Sequence, residues 1–338
     1  MHVSSNRLKE RGFTLVEVLV VTTILAVLLG FSANALSRAG QGAALGSSSR
    51  LTRAALQRAK QLARTDRALS SVLVDPGDAA AGRPGALTVR LARRAVTMSF
   101  EESDNGRTPM GDAISGTLLG AVIVPGGTVR QAAQLAAGAR IRGPALTSAP
   151  SHDPSLGFSL EMDVLPTGPG ALARFGSSSD EFAFSLSLEA DLSLMAEVMF
   201  APEGTIRRLR TPPSVVAADA WNRVGVAYDG VSLIVTSHGV VEGIMEETRG
   251  LMVPKDGALV IGGGVAALID TVTYVTVSEG EPFNLERGVT FDLKAPLSIR
   301  FDGEGRLDRR THGGTVMVAL VQEERREEVT VDLAGVIR

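Results

Sequence analysis

The chain contains no cysteine, so disulfide bonds and thiolate metal sites are both excluded. It has four histidines, and none of them stands at the spacing that metal ligands take in structural or catalytic sites. We therefore predict neither a metal nor a cofactor. Each histidine is interpreted as a surface residue: His2, His152, His238 and His312.

Excess charge and aromatic residues are also scarce. The net charge of -3 argues against a basic surface for nucleic acid, so no nucleic-acid partner is predicted. Aromatic residues make up 4% of the chain, and Trp221 is its one tryptophan. At 338 residues the chain exceeds the size at which a single hydrophobic core usually stops growing, so we expect more than one folded unit.

One long apolar run stands near the N-terminus. It extends from residue 13 to about Leu36, which is close to the roughly 20 apolar residues that a helix needs to cross a bilayer. The residues before it are basic and are expected to stay in the cytoplasm: Arg7, Lys9 and Arg11. The run predicts a single-pass helix in the inner (cytoplasmic) membrane, with the C-terminal bulk on the periplasmic side.

An acidic residue, Glu17, interrupts this run. An ionised carboxylate costs on the order of 3 kcal/mol at the centre of a membrane helix and less near the interface. The chain can carry that cost if assembly supplies a partner for the charge.

The junction Gly12-Phe13-Thr14-Leu15-Val16-Glu17 resembles the class III leader junction of type IV prepilins and type II secretion pseudopilins. The resemblance implies a leader over residues 1–12, cleavage after Gly12 by a prepilin peptidase, and N-methylation of Phe13. It also implies that Glu17 neutralises the amine of a neighbouring subunit, a buried pair that fixes register more surely than it adds stability. The alternative is an ordinary secretory signal or signal anchor, and a secretory signal has a shorter apolar run followed by a small-residue cleavage site.

Helical periodicity continues beyond the apolar run. Apolar residues recur at steps of three and four, with basic residues opposite or beside them: Leu45, Leu51, Ala55, Leu56, Ala59 and Leu62. The pattern predicts one helix over residues 13–65, whose first half lies in lipid or a filament core and whose second half packs on a globular domain. Gly40, Gly42 and Gly46 weaken its middle by about 1 kcal/mol each relative to alanine and mark a candidate unwound stretch.

Strand patterns stand on both sides of a longer β-rich block. Residues 66–149 contain apolar runs at 71–75, 86–91 and 117–124, with a turn at Pro125-Gly126-Gly127. Residues 282–338 contain alternating strands and end on Gly335-Val336-Ile337-Arg338. The two parts resemble the two halves of the small antiparallel β-domain of the minor pseudopilin H family. This resemblance implies one β-domain that is interrupted by an insertion.

The block between them, residues 150–281, alternates apolar and polar residues as half-buried strands of a sandwich do. Asp229-Gly230 joins two β-rich runs, which is a strong hairpin signal. The run from Trp221 to Gly230 resembles a hairpin of laminin-G-like and concanavalin A-like jelly rolls, and residues 259–274 resemble their late strands. The predicted fold class is therefore α+β: a long N-terminal membrane helix on a small pseudopilin β-domain, with an inserted all-β jelly-roll sandwich.

Glu161 and Asp163 resemble the paired acids of concanavalin A-like glycoside hydrolases. Pro166 stands where that pattern has its third acid, so the leaving group would lack a general acid. We predict that the chain is not an enzyme, that these two acids are solvated on an outer face, and that Trp221 is a packing residue. The oxygens that calcium would need are dispersed along the sequence, so no metal is assigned to Asp180, Glu181, Asp229 or Asp270.

Two functions are compatible with these patterns. The first is a structural subunit of a type II secretion or type IV pilus-like filament, extracted from the membrane, whose jelly roll contacts a secreted protein, a partner subunit or a glycan. The second is a membrane-anchored carbohydrate- or protein-binding protein that is exported through a prepilin leader. They differ in whether Glu17 is needed for incorporation into an assembly.

Overall fold

The structure is a computed structural model that describes residues 15–101, 107–109, 115–128, 130–178 and 180–338. These residues are mostly in β-strands, with one long N-terminal helix. The predicted cleavage and methylation residues, Gly12 and Phe13, lie outside the described residues. Glu17 falls in the first turn of the described helix.

Helix α1 (Leu15–Asp66) confirms the predicted long helix, and its two halves differ in burial. From Leu15 to Leu29 its large apolar side chains are 49–83% exposed. Farther along, the predicted face is buried, with Ala55, Leu56 and Ala59 at 0% exposure. Burying apolar area stabilises this half by roughly 25 cal/mol per Å², whereas the first half gains nothing from the described chain.

The glycine-rich middle of α1 is helical throughout, so the predicted unwound stretch is wrong. A Cβ atom at Gly42 would approach only Nη1 of Arg325, the far end of a flexible side chain. Packing of the helix on the folded domain, where Leu45 is already buried, outweighs the low helix propensity of glycine here. In the part of the chain that the structure describes, no helix is found with the length and apolarity to cross a membrane, and the predicted span is not confirmed.

The strands of the described residues form three antiparallel sheets. The first sheet has ten strands, in the order β15-β14-β13-β8-β17-β2-β1-β19 with β6 and β5 added beside β17. Its strands are β1 (Ser70–Asp75), β2 (Ala86–Met98), β5 (Val122–Pro125), β6 (Gln131–Leu135), β8 (Phe158–Pro166), β13 (Asn222–Tyr228), β14 (Ser232–Ser237), β15 (Val240–Glu246), β17 (Ala267–Asn284) and β19 (Leu297–Phe301).

The second sheet has eight strands, in the order β12-β11-β10-β9-β16-β7-β4-β3. Its strands are β3 (Arg107–Pro109), β4 (Ser115–Leu119), β7 (Arg140–Arg142), β9 (Gly170–Gly176), β10 (Phe182–Leu188), β11 (Leu194–Phe200), β12 (Thr205–Arg210) and β16 (Ala258–Gly262). The third sheet pairs β18 (Thr290–Phe291), β20 (Val316–Gln322) and β21 (Arg325–Val331). A short 3-10 helix, Pro150–His152, precedes β8.

Two hydrophobic cores lie on these sheets. The sandwich core fills the space between the first and second sheets and contains the stacked rings of Phe158 and Phe184, whose centroids are 3.9 Å apart. The helix core lies between the second half of α1, one end of the first sheet, and the third sheet, and includes Leu56, Phe291 and Phe301. The alternation read in the sequence therefore corresponds to two separate packed faces.

Two long strands, β2 and β17, run through both cores. In β2, Leu87 belongs to the helix core, whereas Met98 belongs to the sandwich core. In β17, Tyr274 belongs to the sandwich core, and Phe283 packs against the helix core. The two strands pair antiparallel along most of their length, with register shifts near residues 274 and 279. The cores are consequently joined by a continuous hydrogen-bonded ribbon.

The strands between β2 and the 3-10 helix pair with the sandwich. β7 pairs with β16, β4 pairs with β7, and β6 pairs with β17. These pairings place the described residues of 107–142 beside the sandwich core, ahead of position 150, at which the sequence predicts the sandwich block to begin. The reason is long-range pairing, which a local strand pattern does not encode.

A polar junction also ties the two cores together. Asp229, at the β13–β14 turn, forms an ion pair with Arg300 in β19, and its Oδ2 lies 3.0 Å from Nε of Arg300. Its carbonyl oxygen accepts a 2.7 Å hydrogen bond from Nη1 of Arg90 in β2, and Arg90 also pairs with Glu279 at 3.0 Å. Burial alone would raise the pKa of Asp229, but Arg300 and backbone N–H donors outweigh burial and hold that pKa below its usual value.

His312 completes the junction, because its Nε2 accepts a 3.0 Å hydrogen bond from the backbone N–H of Arg300. Burial lowers the pKa of His312, and the nearby charges act in both directions, since Asp308 and Asp229 raise it and Arg300 lowers it. The hydrogen bond requires an unprotonated Nε2. His312 therefore belongs to the structure in its neutral form.

Candidate functional site

An open depression of about 580 Å³ lies where β8, β13 and β17 meet the turns around them. Its volume is in the range that small-ligand sites usually have. We call it the Trp221 depression, and it is lined by Thr128, Asp163, Trp221, Asn222, Arg223, His238 and Thr271. These residues come from five separate stretches of the chain and are brought together by strand pairing within the first sheet.

Asn222 is the buried centre of the site. Its Oδ1 accepts a 2.8 Å hydrogen bond from the backbone N–H of Ala217, and its Nδ2 donates to the carbonyl oxygens of Ala217 and Ala220 at 2.9 and 2.6 Å. These bonds fix the loop that leads into Trp221. Trp221 itself is half-buried and immediately precedes β13. The sequence-based expectation that it packs in the interior is therefore only partly met.

A tight turn places His238 beside Asn222. His238 and Gly239 connect β14 to β15 with φ of 51° and 78°, as a two-residue hairpin turn requires. The backbone N–H of His238 donates a 2.6 Å hydrogen bond to the carbonyl oxygen of Arg223, and its Nε2 lies 3.3 Å from Oδ1 of Asn222. The imidazole is exposed at the rim.

Asp163 and Arg223 form a two-pronged ion pair across neighbouring strands. Nε and Nη2 of Arg223 donate to the two carboxylate oxygens of Asp163 at 2.8 and 2.9 Å, and this pairing raises the pKa of Arg223. Asp163 is 6% exposed, so the expectation that it is solvated is wrong. Its register partner Arg223 shields it. Glu161, two residues earlier, is half-buried and lies 3.5 Å from Nη1 of Arg310.

Asp270 fixes the opposite wall. It is 0% exposed, and its Oδ2 accepts hydrogen bonds from the backbone N–H and the hydroxyl of Thr128 at 2.8 and 2.5 Å. Its Oδ1 accepts a 2.7 Å hydrogen bond from the backbone N–H of Thr271, which has φ of 42° at a register shift in β17. Positive φ is costly for a β-branched residue, and such strain concentrates at functional sites.

Gly127 allows this wall to form. A Cβ atom at Gly127 would lie 2.2 Å from the carbonyl oxygen of Gln131 and 2.8 Å from Oδ2 of Asp270. The predicted turn at residues 125–127 is present between β5 and β6. Its function in the fold is to bring Thr128 against a carboxylate that is 142 residues away in the chain.

Several hydrogen-bonding groups of the depression remain available. Within the described residues, the indole N–H of Trp221 and Nη1 of Arg223 donate no hydrogen bond. The site thus offers an aromatic ring and a planar donor on a frame that is already hydrogen-bonded. The carboxylates of Asp163 and Asp270 are both held by structural donors.

The other acidic residues singled out in the sequence do not converge. Asp180 and Glu181 lie on the exposed β9–β10 connection, Asp229 lies at the polar junction, and Asp270 lies in the depression. Over the described part of the chain, no group of three or more His, Asp or Glu side chains is placed to hold a metal ion.

The histidines divide between surface and interior. His238 is exposed, His312 is half-buried, and His2 lies outside the described residues. His152 is 1% exposed, so its prediction as a surface residue is wrong, and burial lowers its pKa. The carbonyl oxygen of His152 accepts a 2.9 Å hydrogen bond from the hydroxyl of Tyr274, which secures this short segment against the sandwich.

Sequence reasoning missed the Trp221 depression. One signal was present, since Trp221 stands at the boundary between a polar loop and a strand, outside the alternating run that follows it. The other lining residues carry no local signal, because Asp163 and Arg223 are 60 residues apart and Thr128 and Asp270 are 142 apart.

Comparisons with known proteins found a family motif at the N-terminus and, separately, solved structures of similar fold. Residues 7–33 match the family described as Prokaryotic N-terminal methylation motif. This motif supports pilin-like export and processing. No curated protein matches the chain.

Solved structures resemble the β-rich part. Domain 4 of an extracellular GH43 arabinanase from Geobacillus stearothermophilus, in complex with arabinotriose, is 16% identical with a TM-score of 0.38, over 55% of this chain and 93% of that one. The botulinum neurotoxin serotype G binding domain is 9% identical with a TM-score of 0.40, over 57% and 48%. A Trypanosoma rangeli sialidase is 17% identical with a TM-score of 0.40, over 53% and 30%. The chain thus spans about half or less of the last two.

Proposed function

We propose that the chain is a pilin-like (pseudopilin) subunit of a type II secretion or type IV pilus-like filament. In this proposal a prepilin peptidase cleaves after Gly12 and methylates Phe13, and the mature chain starts in the inner membrane with its bulk in the periplasm. The observation that carries the proposal is the N-terminal methylation motif at residues 7–33, which continues directly into helix α1.

The burial of α1 supports this proposal. Its first half exposes apolar side chains all around the helix, from Leu15 to Leu29, and the described chain leaves them uncovered. A helix that is apolar on all sides is stable only when lipid or other helices surround it. Its second half is anchored in the helix core, so the exposed half projects from a folded body as a filament subunit requires.

The remaining strands fit a pseudopilin-like domain with an insertion. α1, β1, the first half of β2, and β19 to β21 surround one core. The chain enters the sandwich through β2 and leaves it through β17, and these two strands pair with each other. An inserted domain needs only that its two ends lie close together, and neighbouring strands satisfy this condition. We propose that the insertion begins within β2.

The second candidate function is a membrane-anchored carbohydrate- or protein-binding protein that uses the prepilin leader for export. The Trp221 depression is the observation that favours it, because a filament shaft has no need of such a site. Neither candidate is an enzyme in our proposal, since Asp163 is held by Arg223 and a proline, Pro166, replaces the third acid.

One experiment with two variants separates the candidates. In cells that contain a prepilin peptidase and other pilin-like subunits, the mature chain should begin at N-methylated Phe13 by mass spectrometry. Gly12→Val should leave the leader attached, because a branched side chain does not fit where a small residue is accepted. Glu17→Val should be cleaved normally and yet fail to co-purify with the other subunits after cross-linking, because an amine of a neighbour then lacks its partner.

Thr22→Val is the matched control for Glu17→Val. The hydroxyl of Thr22 donates only to carbonyl oxygens of its own helix, at Val18 and Leu19, so its removal changes no charge. An intact Met1 terminus would contradict the processing step. Normal co-purification of Glu17→Val would contradict the filament role and favour the membrane-anchored binding protein.

A further inference from the structure

We propose that the Trp221 depression binds a neutral sugar residue, with the indole of Trp221 under the ring and Arg223 and His238 at its hydroxyl rim. This inference rests on the exported location proposed above, but it concerns a site that assembly does not require. Its test reads the depression directly, so it can fail while the assembly proposal holds.

The first step is the match between the groups that line the depression and the groups of a sugar ring. A sugar ring has apolar C–H faces and a rim of hydroxyls that both donate and accept. Trp221 is half-buried, so it can present an apolar surface while its N–H stays free for a polar partner. Arg223 and His238 add planar polar groups beside it, while the buried Asn222 holds the frame. An apolar surface with a few convergent polar groups is the usual composition of a small-ligand site.

The second step is charge. Arg223 is the only arginine or lysine that lines the depression, and Asp163 already pairs with two of its nitrogens. Asp270, behind Thr128 and Thr271, adds a second carboxylate that is buried among hydrogen-bond donors. The frame around a ligand is therefore neutral to slightly negative. A carboxylate-bearing sugar would gain no unpaired cation there, whereas neutral hydroxyls can use Nη1 of Arg223.

The third step is rigidity. Arg223 is held by a two-pronged pair, Asn222 by three hydrogen bonds, and Thr128 by a buried carboxylate. His238 and Thr271 are both kept at positive φ by their surroundings. A site that is ordered before binding spends less of its interaction free energy on immobilising side chains. The depression is thus pre-formed for a ligand whose individual contacts are weak.

The test uses the full chain in detergent micelles, because Trp221 is its one tryptophan and reports on the site without a label. Neutral trisaccharides of glucose, mannose, galactose and arabinose are titrated separately, with a sialylated and a galacturonate trisaccharide as acidic probes. We expect at least one neutral probe to shift the tryptophan emission and to saturate at about millimolar concentration, which is typical of a weak site.

Two variants locate the site, with binding measured by calorimetry. Trp221→Ala should weaken binding by about tenfold or more, and Arg223→Lys should weaken it by about tenfold while keeping a cation beside Asp163. Met317→Ala is the matched control, because Met317 is a large apolar side chain that is 51% exposed on β20, away from the depression. Its loss should leave the binding of every probe unchanged.

Three results would overturn the proposal. The absence of saturable binding by every neutral probe would exclude the ligand class. Binding of the acidic probes alone would contradict the charge argument. Binding that Trp221→Ala leaves unchanged would place the ligand elsewhere. Each of these outcomes is independent of whether Glu17→Val assembles, so the site and the filament role are judged separately.

Discussion

Replacing Arg300 with methionine should destabilise the chain substantially, because Arg300 pairs with a buried carboxylate at the junction of the two cores. The Arg300 and Asp229 side chains are 14% and 7% exposed, and their charged atoms lie 3.0 Å apart. Breaking a buried ion pair by removing one partner costs about 3–5 kcal/mol, since the remaining charge is left without compensation in a poorly solvated place.

The structure indicates the lower end of that range. After the substitution, Asp229 still accepts hydrogen bonds from the backbone N–H groups of Val231 and Ser232, at 2.9 and 2.7 Å. We therefore expect a loss of about 3 kcal/mol, which corresponds to a change of roughly 150-fold in the unfolding equilibrium constant. Arg306→Met should cost no more than about 1 kcal/mol, because the ion pairs of Arg306 with Asp302 and Glu304 are exposed.

Urea denaturation of the full chain in detergent, followed by the emission of Trp221, measures both variants by linear extrapolation. The double variant Asp229→Asn with Arg300→Met should lose less stability than the sum of the two single variants, as expected for residues in direct contact. A loss below about 1 kcal/mol for Arg300→Met alone, or additive losses in the cycle, would show that the junction does not couple the two cores.

Two further predictions concern protonation and domain limits. Burial lowers the pKa of His312 and of His152 below the unfolded value of about 6.5, so their neutral forms contribute fully above that pH, and stability should fall as the pH drops below it. The variant His312→Gln keeps an acceptor for the backbone N–H of Arg300. Its free energy of unfolding should fall less between pH 7.5 and pH 5.5 than that of the parent chain. An equal fall in the two chains would contradict a neutral, buried His312. Residues 92–278, expressed alone, should melt cooperatively by circular dichroism, whereas residues 150–281 should not, because they lack the β2 and β7 partners of β17 and β16; cooperative melting of the shorter piece would refute this.

Local patterns were sufficient for the helix and for individual strands. The three- and four-residue steps of Leu45, Leu56 and Ala59 predicted the buried face of α1, and these side chains are buried. Asp229-Gly230 predicted a hairpin, and β13 and β14 pair on either side of it with Tyr228 opposite Leu233. Such features follow from backbone geometry over a few residues, so the sequence contains the whole signal.

The extent of the sandwich was harder to predict. The pattern over residues 259–274 predicts late strands of the sandwich, but β17 continues to Asn284 and passes from one core into the other. The alternation of apolar residues weakens after Val277, where the strand leaves the sandwich, and a change of core therefore resembles the end of a strand. A sequence pattern records that a face is buried and does not record against which neighbour.

By itself, the sequence determined the prepilin-type N-terminus, the long helix with its amphipathic second half, and the β-rich character of the rest. Only the tertiary structure decided that Trp221 stands at the rim of a depression, that Asp163 is buried under Arg223, and that Asp229 joins the two cores. The physical reason is the large sequence separation of the residues that make these contacts. The hydrogen bond from Arg90 to Asp229 spans 139 residues, and such a contact exists only after every strand between them has found its partner.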